Sequence, residues 1–492
     1  MPAFSAWTQG DCKLNKGVNE INKWIQSGIN QMNANKGRHF TMVKNRKSLA
    51  IMLAAMMMFV TVMVGCSGSN GGKAKTNEGA AAGNGSTPEA TEESKAEAPK
   101  LESGDITILY HTSKEQYEQN KAANPAAYDA VWETVAQFEQ AYGGKVNVIA
   151  VPWGDQKSTL ISMVNAGDQV DVAQANDQNF PVYPLKKIVQ PLDQYMDMAD
   201  PFWNASVTKA FTFGGKPYAA GVGAAPIVIY YNKTLFDNNG VKTPGELYAE
   251  GKWTWDTFRL TALELTQDTD GDGKNDQYGF GWWDAGYPLM VASNGVTSLS
   301  YNEDGSISSN YETDNMKEAM QFTQDALLKD KYIDKDKEGD YFNAEFKNGK
   351  LAMTAEYGFG GFTVFKSDYE LDFVPVPTGP KGAKDVGPGG MSGWSIPTVS
   401  KNPQGAAVFI KMMSENELKV ATENNVKQFG QEKVDQMNGL GGKILFTPIG
   451  VEKYWDANTA ALTGIKDGTP VGTFAATAKA LLEEGIKITL TQ

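Results

Sequence analysis

Between residues 105 and 175, short β-rich runs alternate with helical stretches, and that alternation leaves few folds open to the chain. "DITILYHT" supplies the first run at Ile106 to Tyr110. In the following "AAYDAVWETVAQFEQAYGG", Tyr128, Val131, Trp132, Val135, Phe138 and Tyr142 share one helical face, and Gly143 and Gly144 supply the stop. "KVNVIAV" reads as the next strand, residues 155–165 as a second helix, and "VDVAQA" beyond Gly167 as a third strand. This order predicts an α/β fold, a parallel sheet with helices on both faces and right-handed crossovers. Ligands of such sheets gather where loops leave the carboxyl ends of the strands. Those loops carry Tyr110-His111, then Trp153 beside Asp155, then Asn176-Asp177. Trp153, Asn176 and Asp177 are therefore candidate ligand contacts, because an aromatic face stacks on the C–H face of a sugar while amides and carboxylates take its hydroxyls. The same residue types also pack or cap local turns.

Composition narrows the chemistry. A chain of 492 residues with 41% hydrophobic content builds more than one core, and two lobes are expected. Cys12 and Cys66 are its two thiols, and His39 and His111 its two imidazoles, so disulfide frameworks and Cys/His zinc sites lack material. A Ser-His-Asp or Cys-His mechanism would rest on His111. Eight Lys/Arg and two Asp/Glu through Gly65 give that part a net of +6, which leaves −19 of the total −13 on the remainder. Such a body repels nucleic acid and anionic lipid.

The first hundred residues read as an address and a tether. Lys44, Arg46 and Lys47 precede an uncharged stretch from Ser48 to Gly65, then Cys66 and "SGSNGGK". A membrane-spanning anchor is one reading of that run, near the lower limit of length. Residues 42–65 also resemble a bacterial lipoprotein signal peptide, with Gly65 before a Cys66 that would be lipidated and Met63 where Leu is usual. Met42 is then the natural start, and residues 1–41 are expected to be an upstream extension from a misplaced start. Residues 66–104 hold the lipidated Cys and a coil of Gly, Ala, Ser, Thr, Glu and Lys without aromatic side chains, a tether reaching about 30 to 40 Å.

"GKPYAAGVGAAPIVIYYNKTLFDNNGVKTP" with "WTWDTFRLTALELT" resembles the extracellular solute-binding proteins of bacterial ABC importers, in the branch that binds sugars and oligosaccharides. "AGDQVDVAQAN", "FKNGKLAMTAEYGFG", "FVPVPTGPKG" and "GGMSGWSIPTVSKNPQGAAVFIKMM" extend the resemblance in order along the body. It implies a two-lobed periplasmic-binding-protein-like fold of type II, each lobe a mostly parallel sheet flanked by helices, closing over a ligand cleft. "APIVIYYNK" would be the first strand to cross between lobes and "FVPVPTG" the second. The expected division is N lobe 105–225, C lobe 226–375, N lobe again 376–425, and C-terminal helices 426–492 returning to the C lobe. The resemblance also places Trp394 and Tyr357 at ligand-facing positions, and makes Trp282, Trp283 and Asp284 similar to the aromatic platform of sugar binders. Successive strand residues point to opposite faces, so one of Trp282 and Trp283 is expected in the core and the other against ligand. Glu356 and Asp177 are further expected acceptors of sugar hydroxyls.

"DTDGDGKNDQYG" just upstream has calcium-loop spacing, with Asp268, Asp270 and Asp272 at the first, third and fifth positions, Gly273 at the sixth, Lys274 at the seventh and Asp276 at the ninth. A solvated acidic turn is the plainer alternative. The twelfth position, a bidentate Glu in sensor loops, is Gly279, and no second helix follows; Gln277 offers an amide oxygen. A structural calcium over 268–277, held by Asp268, Asp270, Asp272, Lys274, Asp276 and Gln277, is expected to brace the neighbouring tryptophans. The function these readings imply is a monomeric, lipid-anchored receptor on the extracellular face of the membrane. It would capture an oligosaccharide and hand it to permease subunits of an ABC transporter, without catalysis. A surface polysaccharide-degrading enzyme, which needs only two carboxylates, and the same fold with a non-sugar ligand are the alternatives.

Overall fold

A computed structural model describes residues 100–124, 128–302 and 304–491. The expected extension and signal peptide, Cys66 and nearly all of the expected tether lie outside the described residues. Leu101 packs against a hydrophobic core, and the Asn402 amide donates to the carbonyls of Ser103 and Asp105.

Three strands, β1 (Ile106–Tyr110), β2 (Val146–Ala150) and β3 (Val172–Asn176), pair in parallel in the order β2-β1-β3, with helices Ala130–Tyr142 and Gln156–Ala166 between them. Alternation along β1 sends Ile106, Ile108 and Tyr110 into one core and Leu109 into another, so helices cover both faces as expected. Asp129 caps the first of these helices by accepting from the Val131 and Trp132 N–H groups, and Gly143 ends it at φ +67. The chain continues through β4 (Val189–Gln190) and the small hairpin of β5 (Thr212–Phe213) and β6 (Lys216–Pro217). It then enters β7 (Ala224–Asn232).

β7 joins the two halves of a nine-stranded sheet. Beyond it come β8 (Tyr278–Phe280), the hairpin of β9 (Leu299–Tyr301) and β10 (Ile307–Ser309), then β11 (Leu351–Tyr357), β12 (Leu371–Val374) and β13 (Gly389–Pro397). β7 pairs antiparallel with both β11 and β12, and only β8 lies parallel to β11. The second lobe is therefore a mixed sheet rather than the mostly parallel one expected, because the strand around which it forms arrives from the other lobe.

The second crossing also differs from expectation. β12, which holds Phe373 and Val374 of "FVPVPTG", stays in the C lobe against β7. The crossing strand is β13: its Gly389–Met391 pair with the start of β7, Ser392–Ser395 with β3, and Ile396–Pro397 with β4. A third passage is made by the 27-residue helix Pro403–Phe429. Its first turns bury Phe409, Ile410 and Met413 in the N lobe, and its last residue, Phe429, stacks on Phe359 of the C lobe at 4.4 Å and 3°. Helices Tyr454–Asp467 and Val471–Thr491 close the C-lobe core. Among the described residues, no helix is long and apolar enough to cross a membrane.

Candidate functional site

The strand register brings the candidate residues onto one surface. Along β13, Gly390, Ser392 and Trp394 alternate to one face, and they pair with Ala225, Asn176 and Gln174. On β7 that face continues through Ile227, whose partner across the sheet is Tyr357. Tyr357 lies over Gly390: a Cβ added at the glycine would stand 3.4 Å from its ring. The two crossing strands thus form the floor of a cleft, with glycine leaving room for an aromatic ring.

The N-lobe wall is an aromatic chain. His111 sits 4.2 Å from Tyr110 and edge-on to Trp153 at 5.5 Å, and Tyr110 is 5.8 Å from Trp394. Trp394 is only 7% exposed, so most of its surface serves the core. Asn176 is also buried and already occupied, since its Oδ1 accepts from the Gln178 N–H and its own N–H donates to Asn179. It sets the turn that presents the next residue, Asp177. Burial pushes the Asp177 carboxyl up to about 6, against the pull of nearby backbone N–H groups.

The C-lobe wall carries the exposed aromatics. Tyr357 is 47% exposed, yet its phenol is pushed up to about 12 by desolvation, with smaller contributions from the carboxylates of Asp177 and Glu356. Glu356, raised by desolvation, accepts from the Tyr357 N–H at 2.8 Å. The tryptophan pair is resolved by burial: Trp282 is 9% exposed and belongs to the core, whereas Trp283 is 40% exposed and rests on Gly339. Asp284, Ala285 and Gly286 follow it with φ of +50, +54 and +74, a left-handed run that turns Trp283 outward at a cost of about 1 kcal/mol or more for the alanine. Burial raises the Asp284 carboxyl, offset by Lys466 and the Asn458 side chain.

Two further groups escaped the sequence reading. Trp455, 60% exposed, opens the helix Tyr454–Asp467, and the buried Tyr454 beside it feels both Asp177 and Asp284. "KYWDA" at the start of a helix was the available signal. Glu417, halfway along the long crossing helix, places its Oε1 3.3 Å from the Cβ position of Gly223, just before β7. It sits in a polar run that reads as a solvated helix face.

The acidic loop is a separate feature. Antiparallel bonding between Gln267 and Gln277 closes its base. Asp268 accepts from the Gly271 and Gly273 N–H groups, which hold its carboxyl below the usual range. Carboxylate oxygens of Asp268, Asp270 and Asp276 lie within 4.8 Å of one another. Asp272 stands outside that group and accepts from the Lys274 N–H at 2.8 Å. Gln277 is buried and donates its amide to the Leu265 carbonyl, so it ties the loop to the preceding helix instead of joining the exposed oxygens. Gly279 explains the missing twelfth ligand: a Cβ there would stand 2.0 Å from the Ala262 carbonyl oxygen, and no glutamate fits.

Two α/β lobes joined by crossing strands, with aromatic and carboxylate walls, define a clamshell binding protein. Residues 121–420 match the model of the bacterial extracellular solute-binding proteins. The chain belongs to that family. A binding protein of Brucella abortus (strain 2308) is 25% identical over 256 residues, 49% of this chain and 58% of the relative. The chain thus spans less than two thirds of the length of that curated relative. Three solved structures share the fold. An extracellular solute-binding protein of Staphylococcus aureus in complex with maltose has TM-score 0.60 at 15% identity, covering 80% of this chain and 99% of that one. A Listeria monocytogenes ABC substrate-binding protein in complex with cycloalternan has TM-score 0.55 at 20% identity, covering 77% and 98%. A maltose/maltodextrin-binding domain of Bdellovibrio bacteriovorus bound to maltotriose has TM-score 0.54 at 17% identity, covering 78% and 100%. The family and these neighbours are binding proteins, not enzymes.

Proposed function

We propose that the chain is a monomeric, lipid-anchored extracellular receptor that captures an oligosaccharide by lobe closure, performs no chemistry on it and delivers it to the permease of an ABC transporter. The observation that carries this reading is the exposed ring of Tyr357 over Gly390 of the strand that crosses between the lobes, with the carboxylate of Glu356 on its backbone N–H and that of Asp177 adding to the field at its phenol. Trp283 and Trp455 add exposed aromatic surface, with Trp153 and His111 on the opposite wall. Rings take the apolar faces of sugars and carboxylates their hydroxyls, a pairing suited to a closing cleft. The sugars bound to the structural neighbours agree with it. A thermal-shift screen over oligosaccharides tests the reading, since a ligand of the native state raises the melting temperature; a panel that produces no shift refutes it.

The anchor would be a lipid on Cys66, and Cys66→Ser is expected to release the protein from the membrane fraction. A structural calcium would be held by Asp268, Asp270 and Asp276, whose converging oxygens are the donor type hard cations require. Its chemistry would be that of a brace: it would neutralise the loop's mutual repulsion and fix the path from the helix Trp255–Glu264 into β8 and Trp283.

A further inference from the structure

On the side of the crossing strands away from the candidate cleft, the two lobes meet again through a second core. Strand alternation separates the sides: Gly390, Ser392, Ala225 and Asn176 belong to the floor beneath Tyr357. Their neighbours Met391, Ala224 and Ala175 face the other way, into a hydrophobic cluster with Phe180 and Phe211 of the N lobe.

The C lobe reaches this cluster with two pieces. One is the β9–β10 hairpin, whose Leu299 and Ile307 pack in the C-lobe core while Tyr301 extends into the N lobe. The Tyr301 ring stands 5.5 Å from Phe180 at 67° and 6.2 Å from Phe213, and its hydroxyl donates to the carbonyl of Ala210, the last residue of the helix Ala205–Ala210. At the hairpin turn, a Cβ added at Gly305 would stand 3.4 Å from the Phe213 ring. The other piece follows the helix Gln431–Gly441: the Gly442 carbonyl accepts from the Ser206 hydroxyl at 2.8 Å, and Phe446 lies edge-on to Phe211 at 5.2 Å.

The lobes are joined by β7, β13 and the helix Pro403–Phe429. Lobes that approach over the floor rotate about these segments, and surfaces on the far side of the strands part as they do. Rings packed there return to water and the Tyr301 hydroxyl loses its carbonyl, so the second core opposes closure. Building on the reading of a cleft that closes over its ligand, we propose that Tyr301 is the plug of a latch behind the hinge, which holds the unliganded lobes apart and sets ligand affinity from outside the binding surface. Part of the ligand's binding free energy goes into withdrawing the plug, and a chain without it binds more tightly.

The test measures the separation of the lobes with no ligand present. In the full chain carrying Cys12→Ser and Cys66→Ser, nitroxides on Asp155→Cys, in the loop of Trp153, and on Lys337→Cys, two residues before the Gly339 on which Trp283 rests, report that separation by pulsed electron spin resonance. Both labelled positions are exposed. Tyr301→Ala is expected to shift the distribution to shorter distances, and Tyr301→Phe, which removes only the hydroxyl, to shift it less in the same direction. A melting curve verifies that each variant is folded, and Tyr301→Phe decides alone where Tyr301→Ala does not fold. An unchanged or longer distance in a folded variant overturns the latch, whatever the ligand is. Oligosaccharides that bind the wild type in calorimetric titration should bind Tyr301→Ala about 3- to 10-fold more tightly. Equal or weaker binding overturns the control of affinity. A panel without a binder overturns the carbohydrate reading, and the distance measurement then decides the latch by itself.

Discussion

Two groups of carboxylates in this protein follow opposite designs. In the loop from Asp268 to Asp276 the acids are exposed and the backbone turns toward them, so Asp268 is held below the ordinary carboxylate range by the N–H groups of Gly273 and Gly271. In the cleft, Asp177 and Glu356 are half-buried with little to offset the cost of desolvation, and both are raised. Acidic side chains whose charge is supported locally read as a site built for a fixed ion or for stability alone. Those whose charge is left unsupported read as a site awaiting a donor from outside.

The sharpest attempt to turn the loop into a sensor is Gly279→Glu, which supplies the acidic twelfth ligand. We expect it to destabilise the protein by at least ~3 kcal/mol in urea unfolding, because the side chain has no room beside the Ala262 carbonyl. A variant with unchanged stability and tighter calcium binding would mean that the helix and β8 part more easily than their packing indicates. In the cleft, Tyr357→Ala should weaken oligosaccharide binding about 10- to 100-fold in calorimetric titration, since it removes an exposed ring that has no core to support. Trp282→Ala makes the converse case, with loss of stability from a core position.

How far each region was legible in the sequence follows from the range of the interactions that build it. The loop is local, and its spacing showed the converging oxygens of Asp268, Asp270 and Asp276; the inward turn of Gln277 was hidden because its partner is the Leu265 carbonyl of the preceding helix. The first lobe was legible for a similar reason, since period-2 and period-3.6 patterns succeed one another along one continuous segment. The crossing strand β13 was not. "GPGGMSG" has the glycine content of a loop, but the glycines are what the crossing demands: a Cβ at Gly389 would meet the Ala225 carbonyl oxygen at 2.6 Å, and Gly390 must leave space for Tyr357. "FVPVPTG", rich in valine, looked more like a strand and ended in the wrong place for a crossing. Glu417 was illegible in principle from pattern alone, because a polar helical face looks the same whether it meets bulk water or a cleft.

Titration separates the two designs by sign. The folded pKa of Asp177 lies above its unfolded value, from 3.8 to about 6, so its contribution to stability is fully present below the unfolded value and disappears as pH rises through about 6. At neutral pH its charge opposes folding. Asp177→Asn is therefore expected to stabilise the unliganded protein at pH 7 by about 1–2 kcal/mol, after discounting for partial exposure, and to flatten the pH dependence of the unfolding midpoint between about pH 4 and 7. Asp268 has the opposite sign. Its folded pKa is depressed, so its contribution is present above the unfolded value and is lost as pH falls through the folded one. Asp268→Asn should lower the melting temperature at pH 7, by a margin that grows with added calcium and shrinks under chelator, because the substitution removes both a backbone acceptor and one of three converging charges. If chelator changes neither the wild-type melting temperature nor the effect of the substitution, the loop is stabilised by its own backbone and the calcium brace falls. The contrast with the cleft would then rest on hydrogen bonding alone.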